Sequence, residues 1–231
     1  MTIYAMGDLH LSGGDDKPMD VFGPQWTDHA RRIEENWRSR VAQSDIVLLP
    51  GDISWAMQLD HARPDLEWIR SLPGKKVLLR GNHDYWWSAI GRVRDALGEG
   101  MYAIQNDALL LDGALIAGSR LWLLPGEGSK EDDRRIYQRE VLRLEMSLKD
   151  ARRLSQDAPL LVMCHYPPTD QEGRDTECTD LISSYGARVC VYGHLHGAGI
   201  ASAFRGEKGN TRYHLVSSDS LSFAPAPVFA L

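Results

Sequence analysis

Short apolar runs in this sequence repeatedly stop at a carboxylate, an amide or an imidazole. Ile3-Tyr4-Ala5-Met6 runs into Gly7-Asp8-Leu9-His10, Ile46-Val47-Leu48-Leu49 into Pro50-Gly51-Asp52, and Val77-Leu78-Leu79 into Arg80-Gly81-Asn82-His83-Asp84. Leu160-Leu161-Val162-Met163-Cys164 delivers His165, and Val189-Cys190-Val191 delivers Tyr192-Gly193-His194-Leu195-His196. Apolar runs this short, bounded by Gly, Pro or polar residues, read as buried strands. They predict strands at 3–6, 46–49, 76–79, 160–164 and 189–191, with 213–217 and a Pro-rich tail closing the sheet. Residues 108–124 hold shorter apolar runs compatible with a hairpin and a second sheet.

Between these runs the apolar positions shift to helical spacing. Ile33, Trp37 and Val41 predict a helix over 26–43, with His29 on its surface. Leu66, Trp68 and Ile69 predict one over 60–71, closed by Pro73-Gly74. Tyr85-Trp86-Trp87 run into a further helix ending near Gly98. A charged helix over 131–156 carries the stripe Tyr137, Val141, Leu144, Leu148 and Ala151, with Glu145 and Lys149 paired at i,i+4, and reads as a solvated surface helix. Ser12 to Pro18 is a polar loop.

Composition narrows the classes without choosing among them. At 231 residues, 43% hydrophobic and 25% charged, with no Pro/Gly/Ser-rich linker, the chain reads as one soluble domain over 1–231. A net charge of −6 argues against a long nucleic-acid partner, although two bound divalent cations would bring it to −2. Cys164, Cys178 and Cys190 are odd in number and lack CxxC spacing, so a disulfide framework or cysteine zinc site is not expected and a reducing cytoplasm fits. The N-terminus has no signal-peptide pattern, and the apolar region 109–124 is interrupted by Asp112 and Arg120, too broken to span a bilayer.

What changes the picture is the company the strand ends keep. Asp8, His10, Asp52, Asn82, His83, Asp84, His165, His194 and His196 include five of the eight histidines. Strand ends are where α/β proteins hold their chemistry. Carboxylate, imidazole and amide-oxygen donors without thiolate suit Mn²⁺, Fe²⁺ or Zn²⁺. They are too many for one ion, whereas a bridging carboxylate lets two ions share them about 3.5–4 Å apart, the arrangement used for displacement at phosphorus. His61 and His214 fall outside the pattern and read as structural.

The ordered set Asp8-x-His10, Gly51-Asp52, Gly81-Asn82-His83-Asp84, His165 and Gly193-His194-x-His196 resembles the signature of calcineurin-like metallophosphoesterases. The resemblance implies an α/β (α+β) fold, a four-layer αββα sandwich of two packed mixed β-sheets flanked by helices. It implies two divalent metal ions, Mn²⁺ first and Fe²⁺ or Zn²⁺ after it, with Asp8, His10 and His196 on one, Asn82, His165 and His194 on the other, and Asp52 bridging. In such a site a metal-bridging hydroxide attacks phosphorus in line, and His83 is expected to protonate the leaving oxygen with Asp84 orienting its ring.

Departures from the family's subclasses narrow the reading. Gly51-Asp52 continues Ile53-Ser54-Trp55-Ala56-Met57 rather than into the Val-Asp-Arg-Gly of phosphoprotein phosphatases, and Trp55 stands where purple acid phosphatases place a metal-binding tyrosine. What remains is similar to small bacterial phosphohydrolases related to cyclic-nucleotide phosphodiesterases. The expected substrate is a small phosphodiester or nucleotide-like phosphate ester, with Lys17, Arg120, Tyr85, Trp86 and Tyr166 as candidate contacts. The alternatives are a catalytically silent metal-binding scaffold, a nuclease, or a sugar-nucleotide pyrophosphatase using the same metals.

Overall fold

The computed structural model describes residues 1–13, 17–126 and 128–231. Of the loop expected at 12–18, positions 14–16 lie outside the described residues. The strands are β1 (Thr2–Ala5), β2 (Ile46–Leu49), β3 (Lys75–Leu78), β4 (Met101–Ala103), β5 (Leu109–Leu111), β6 (Ala114–Ser119), β7 (Leu160–Cys164), β8 (Ala187–Tyr192), β9 (Gly206–Lys208), β10 (Thr211–Leu215) and β11 (Ala226–Ala230). The helices are α1 (His29–Arg40), α2 (Leu59–Ser71), α3 (Ile90–Leu97), α4 (Glu131–Leu154) and α5 (Glu177–Ser184).

Two sheets result, ordered β11-β1-β2-β3-β4 and β5-β6-β7-β8-β10-β9. Both are mixed: β1 to β4 run parallel with β11 antiparallel at one edge, and β6, β7, β8 and β10 run parallel between the antiparallel edges β5 and β9. The period of two in a strand explains why its residues are apolar throughout. In β2, Ile46 and Leu48 face the other sheet, meeting Ile116, Leu161, Met163 and Val191, while Val47 and Leu49 face Ile33, Trp37, Leu66 and Ile69. On the far side Leu160, Val162 and Cys164 of β7 pack under Val141, Leu144 and Leu148 of α4 and Ile182 of α5. The order of layers is helices, sheet, sheet, helices, the four-layer sandwich expected.

Several local expectations change. The helix expected over 26–43 is α1, preceded by a 3-10 turn at Pro24–Trp26, because Asp28 takes a left-handed φ of 52° and ends the continuity. His29 is buried rather than on the surface. Tyr85-Trp86-Trp87 lie before α3, in a turn that sends both indoles inward. The C-terminal tail pairs with β1, in the other sheet from the strand at 211–215. β4, β9 and α5 had no expectation; α5 is a short helix opened by a capping box between Thr176 and Thr179. Among the described residues, no helix is long and apolar enough to cross a membrane.

Candidate metal centre

The carboxyl ends of β1, β2, β3, β7 and β8 share one edge of the sandwich, and each carries its ligand-type side chains there. The backbone must turn sharply to aim them inward. Asp8, His10, Asp52 and His194 all have positive φ, at 56°, 46°, 51° and 70°. A non-glycine residue there costs roughly 1–3 kcal/mol, a strain that clusters at functional sites. Two glycines make the closeness possible: a methyl group on Gly81 would fall on the Asp52 carboxylate, and one on Gly193 on that of Asp8. Gly7 stitches the sheets together beside them, donating to Val216 O (2.7 Å) and accepting from Ser218 N (3.1 Å).

Two groups of donor atoms form. Asp8, His10 and His196 converge in the first, with His196 Nε2 3.3 Å from Asp8 Oδ1 and 3.4 Å from His10 Nε2. Asn82 Oδ1 lies 2.6 Å from His165 Nε2 and 3.0 Å from His194 Nδ1 in the second. Asp52 stands between them, its Oδ2 3.8 Å from His10 Nε2 and its Oδ1 3.6 Å from His165 Nε2.

The surrounding bonds fix which nitrogen carries a lone pair. His165 Nδ1–H donates to Pro50 O (3.0 Å), which leaves its Nε2 free to coordinate, and His196 Nδ1–H donates to Asp219 Oδ1 (2.9 Å), which turns toward Asp8 an Nε2 whose proton a metal ion would displace. His165 Nε2 and Asn82 Oδ1 then point lone pairs at each other with no proton between them. A cation is what reconciles such a pair. The donor set therefore fits divalent metal ions.

Charge tells the same story. Asp8, Asp52 and Asp84 are buried together. Burial, then the charges of Asp8 and Asp84, push the Asp52 carboxyl well above its ordinary range. Burial alone would raise Asp8 as well, but its hydrogen bond to His196 and the nearby imidazoles hold it low. Burial drives His10 down to about 3 and His194 to about 4, and lowers His83 and His165, keeping these imidazoles in the neutral form that coordinates. His196 goes the other way: burial opposes its charge, but the bonds to Asp219 and Asp8 raise it to about 10.

That exception has a measurable consequence. Between pH 6.5 and 8 folded metal-free protein keeps a proton on His196 that the unfolded chain sheds, so stability falls as pH rises, by at most about 1.4 kcal/mol per pH unit for one proton. Thermal melts of chelator-treated protein should decline across this window, and Mn²⁺, which takes the proton's place, should flatten them. Asp219→Asn should also flatten the metal-free slope and weaken metal affinity about 10- to 100-fold, the usual cost of losing a carboxylate behind a ligating histidine; an unchanged slope would remove Asp219 from this role.

One expected role is corrected. Asp84 does not touch the His83 ring; its carboxylate accepts from the backbone N–H groups of Gly81, Asp52, Ile53 and Ser54 and from Trp86 Nε1, at 2.7 to 3.3 Å. It holds the Asp52 segment against the β3 end. His83 Nδ1 is buried without a partner among the described residues. Trp86 is likewise a buried support rather than a contact for substrate, whereas Tyr85 is half-exposed and edge-on to His83. Tyr166 lies against His194 with ring centroids 4.0 Å apart, and Lys17 hangs over Trp55 at 5.9 Å. His61 and His214 enter neither donor group.

Other residues were not anticipated. Asp219 lies beyond β10, and His29 Nε2 donates to His10 O (3.3 Å). Beside His10, His83 and His196 a cleft of about 260 Å³ is walled by Met19, Phe22, Trp26 and Trp55. Trp55 stacks on His10 at 4.9 Å and 22°.

Comparison with known proteins agrees with this geometry. The family described as calcineurin-like phosphoesterase matches residues 1–198. The Gene 66 protein of Mycobacterium phage D29 is 35% identical over 87 residues, covering 36% of this chain and only 40% of that protein. Two solved structures share the fold: the protein of unknown function AQ665 from Aquifex aeolicus (14% identity, TM-score 0.51, 97% of this chain and 94% of that one) and phosphopantetheinyl hydrolase, PptH, from Mycobacterium tuberculosis (17% identity, TM-score 0.56, 94% and 88%). With most of its length matched and the donor residues gathered at one sheet edge, this chain belongs to the calcineurin-like phosphoesterase family.

Proposed function

We propose that the protein hydrolyses small phosphodiesters or nucleotide-like phosphate esters with the help of two divalent ions, Mn²⁺ foremost and Fe²⁺ or Zn²⁺ as alternatives. The observation that carries this reading is Asp52, whose two carboxylate oxygens face two separate donor groups. Asp8, His10 and His196 would hold one ion, Asn82, His165 and His194 the other, and Asp52 both. When bound, such ions supply an activated water near neutral pH and neutralise charge developing on the phosphoryl oxygens.

The chain's own groups do the rest. His83 lines the aromatic cleft between His10 and Trp55 and, among the described residues, pairs with no carboxylate, so its ring can give a proton to an oxygen leaving on that side. Burial lowers its pKa, which makes it a stronger acid once the substrate's negative charge has drawn a proton to it. Asp84 acts at one remove, fixing the Asp52 loop and the turn that carries Asn82 and His83. Met19, Phe22, Trp26 and Trp55 offer a largely apolar wall to the leaving group, as a nucleoside or another flat, weakly polar moiety would require.

Hydrolysis of bis-p-nitrophenyl phosphate and of p-nitrophenyl phosphate by Mn²⁺-reconstituted protein tests the reading. Turnover, with the diester preferred, is expected. Two bound metals without turnover of either ester would favour the silent scaffold instead.

A further inference from the structure

A second cavity, of about 300 Å³, opens at the same edge of the sandwich and is lined by Arg80, Arg120, Arg139, Arg143 and Glu140. Four guanidinium groups meet one carboxylate there. Glu140 is buried and already engaged, accepting from Arg143 Nη1 at 2.7 Å and Ser119 Oγ at 2.9 Å. Arg120 and Arg139 reach it only at 3.7 and 3.8 Å. Arg80 stands apart: among the described residues its Nε is buried without a hydrogen-bond partner and its guanidinium makes no ion pair. A partly buried guanidinium with spare donors, beside other cations, is costly unless an anion completes it.

The position matters as much as the charge. Arg80 follows β3 and stands two residues before Asn82; Arg120 follows β6, and its carbonyl accepts from the backbone N–H of His165 (3.2 Å) and Tyr166 (2.9 Å). The metal-binding edge uses the ends of β3 and β7, and this cavity uses β3, its neighbour β4, and β6, the neighbour of β7. Adjacent strands lie about 4.8 Å apart, so the two sites are neighbours along one edge of the sandwich. The Arg120 guanidinium lies 4.8 Å over Trp122, which touches Tyr166, which touches His194, so one continuous wall joins them.

We propose that this cavity is an anion subsite for a second phosphate group, and that the substrate is a small molecule carrying two phosphate groups. The inference rests on the phosphohydrolase reading above, and names the class of substrate for it. Arg80 and Arg120 supply the free N–H pairs that phosphate oxygens accept, as guanidinium groups do wherever planar anions are bound.

Calorimetric binding to the Mn²⁺-loaded protein tests this, using alkane-α,ω-diol bisphosphates of increasing chain length and the matching ω-hydroxyalkyl monophosphates as probes. At one length the bisphosphate is expected to bind at least about tenfold more tightly than its monophosphate, and Arg80→Gln and Arg120→Gln should each reduce that advantage severalfold or more. Arg80→Gln should leave the melting temperature unchanged or higher, since among the described residues the Arg80 side chain makes no ion pair and its Nε no hydrogen bond; a marked fall would make it structural and overturn the proposal. Turnover of bis-p-nitrophenyl phosphate, assayed on the same samples, reports on the phosphohydrolase reading separately. A bisphosphate advantage without turnover keeps the subsite and sinks that reading, whereas turnover with no advantage at any length sinks the subsite alone. Inorganic phosphate binding that is lost in Arg80→Gln, without any bisphosphate advantage, would overturn the substrate assignment in favour of a free-anion site.

Discussion

Asp52→Asn is expected to give a folded protein whose phosphodiester turnover falls by on the order of 10³-fold or more, with bound metal reduced from two equivalents toward one. The substitution keeps the shape of the side chain and the bond that His83 N makes to Oδ1 (2.8 Å). What it removes is the negative charge and one of the two oxygens, so one donor group loses its oxygen at this position and the other keeps only an uncharged amide oxygen. It also relieves a cost: Asp52 is buried next to Asp8 and Asp84, which is why its carboxyl is pushed so far up. Metal-free Asp52→Asn should therefore melt no lower than the metal-free parent, while the Mn²⁺-loaded variant should melt lower than the loaded parent. Equal metal content and equal turnover in the two proteins would remove Asp52 from the bridging position.

The second large effect separates binding from proton transfer. His83→Ala should lose about 10²- to 10⁴-fold in turnover on esters with poor leaving groups, the usual worth of a general acid, and far less on nitrophenyl esters, whose leaving oxygen needs no proton. Metal content should be retained, because His83 lies in neither donor group. Its ring contacts are with His10, Trp55 and Tyr85, so the change opens space in the cleft without touching a ligand bond. Losses of equal size on both kinds of ester, measured at saturating metal, would assign His83 to positioning instead.

The layers and the cluster were legible in the sequence for one physical reason. A strand buried on both faces has to be apolar at every position, so polar residues can enter only where it ends, and there Asp8, Asp52, Asn82, His165 and His194 stand out. Side-chain identity says much less about partners. Asp84 looks like a companion for the neighbouring imidazole, but its bonds go to backbone N–H groups and an indole, and nothing in residue types announces that choice. His29 serves a carbonyl, equally invisible. Asp219 lies 23 positions from the histidine it orients. The aromatic wall was missed because Met19, Phe22 and Trp26 sit in short 3-10 turns that have no periodicity to read. The arginine cavity combines four distant stretches, and only Arg120 was singled out beforehand.

The donor groups draw on both sheets: Asp8, His10, Asp52 and Asn82 follow strands of one, His165, His194 and His196 strands of the other. An ion bound in either group therefore rivets two halves of the sandwich, and mass action ties the lifetime of the fold to metal supply. At a free ion concentration about 100-fold above the dissociation constant, each site would add about 2.7 kcal/mol to the folded state. A cell starved of the metal would lose the protein as well as its activity, since the loosened sheets are what quality-control proteases engage. Abundance would then report on metal nutrition with no dedicated sensor.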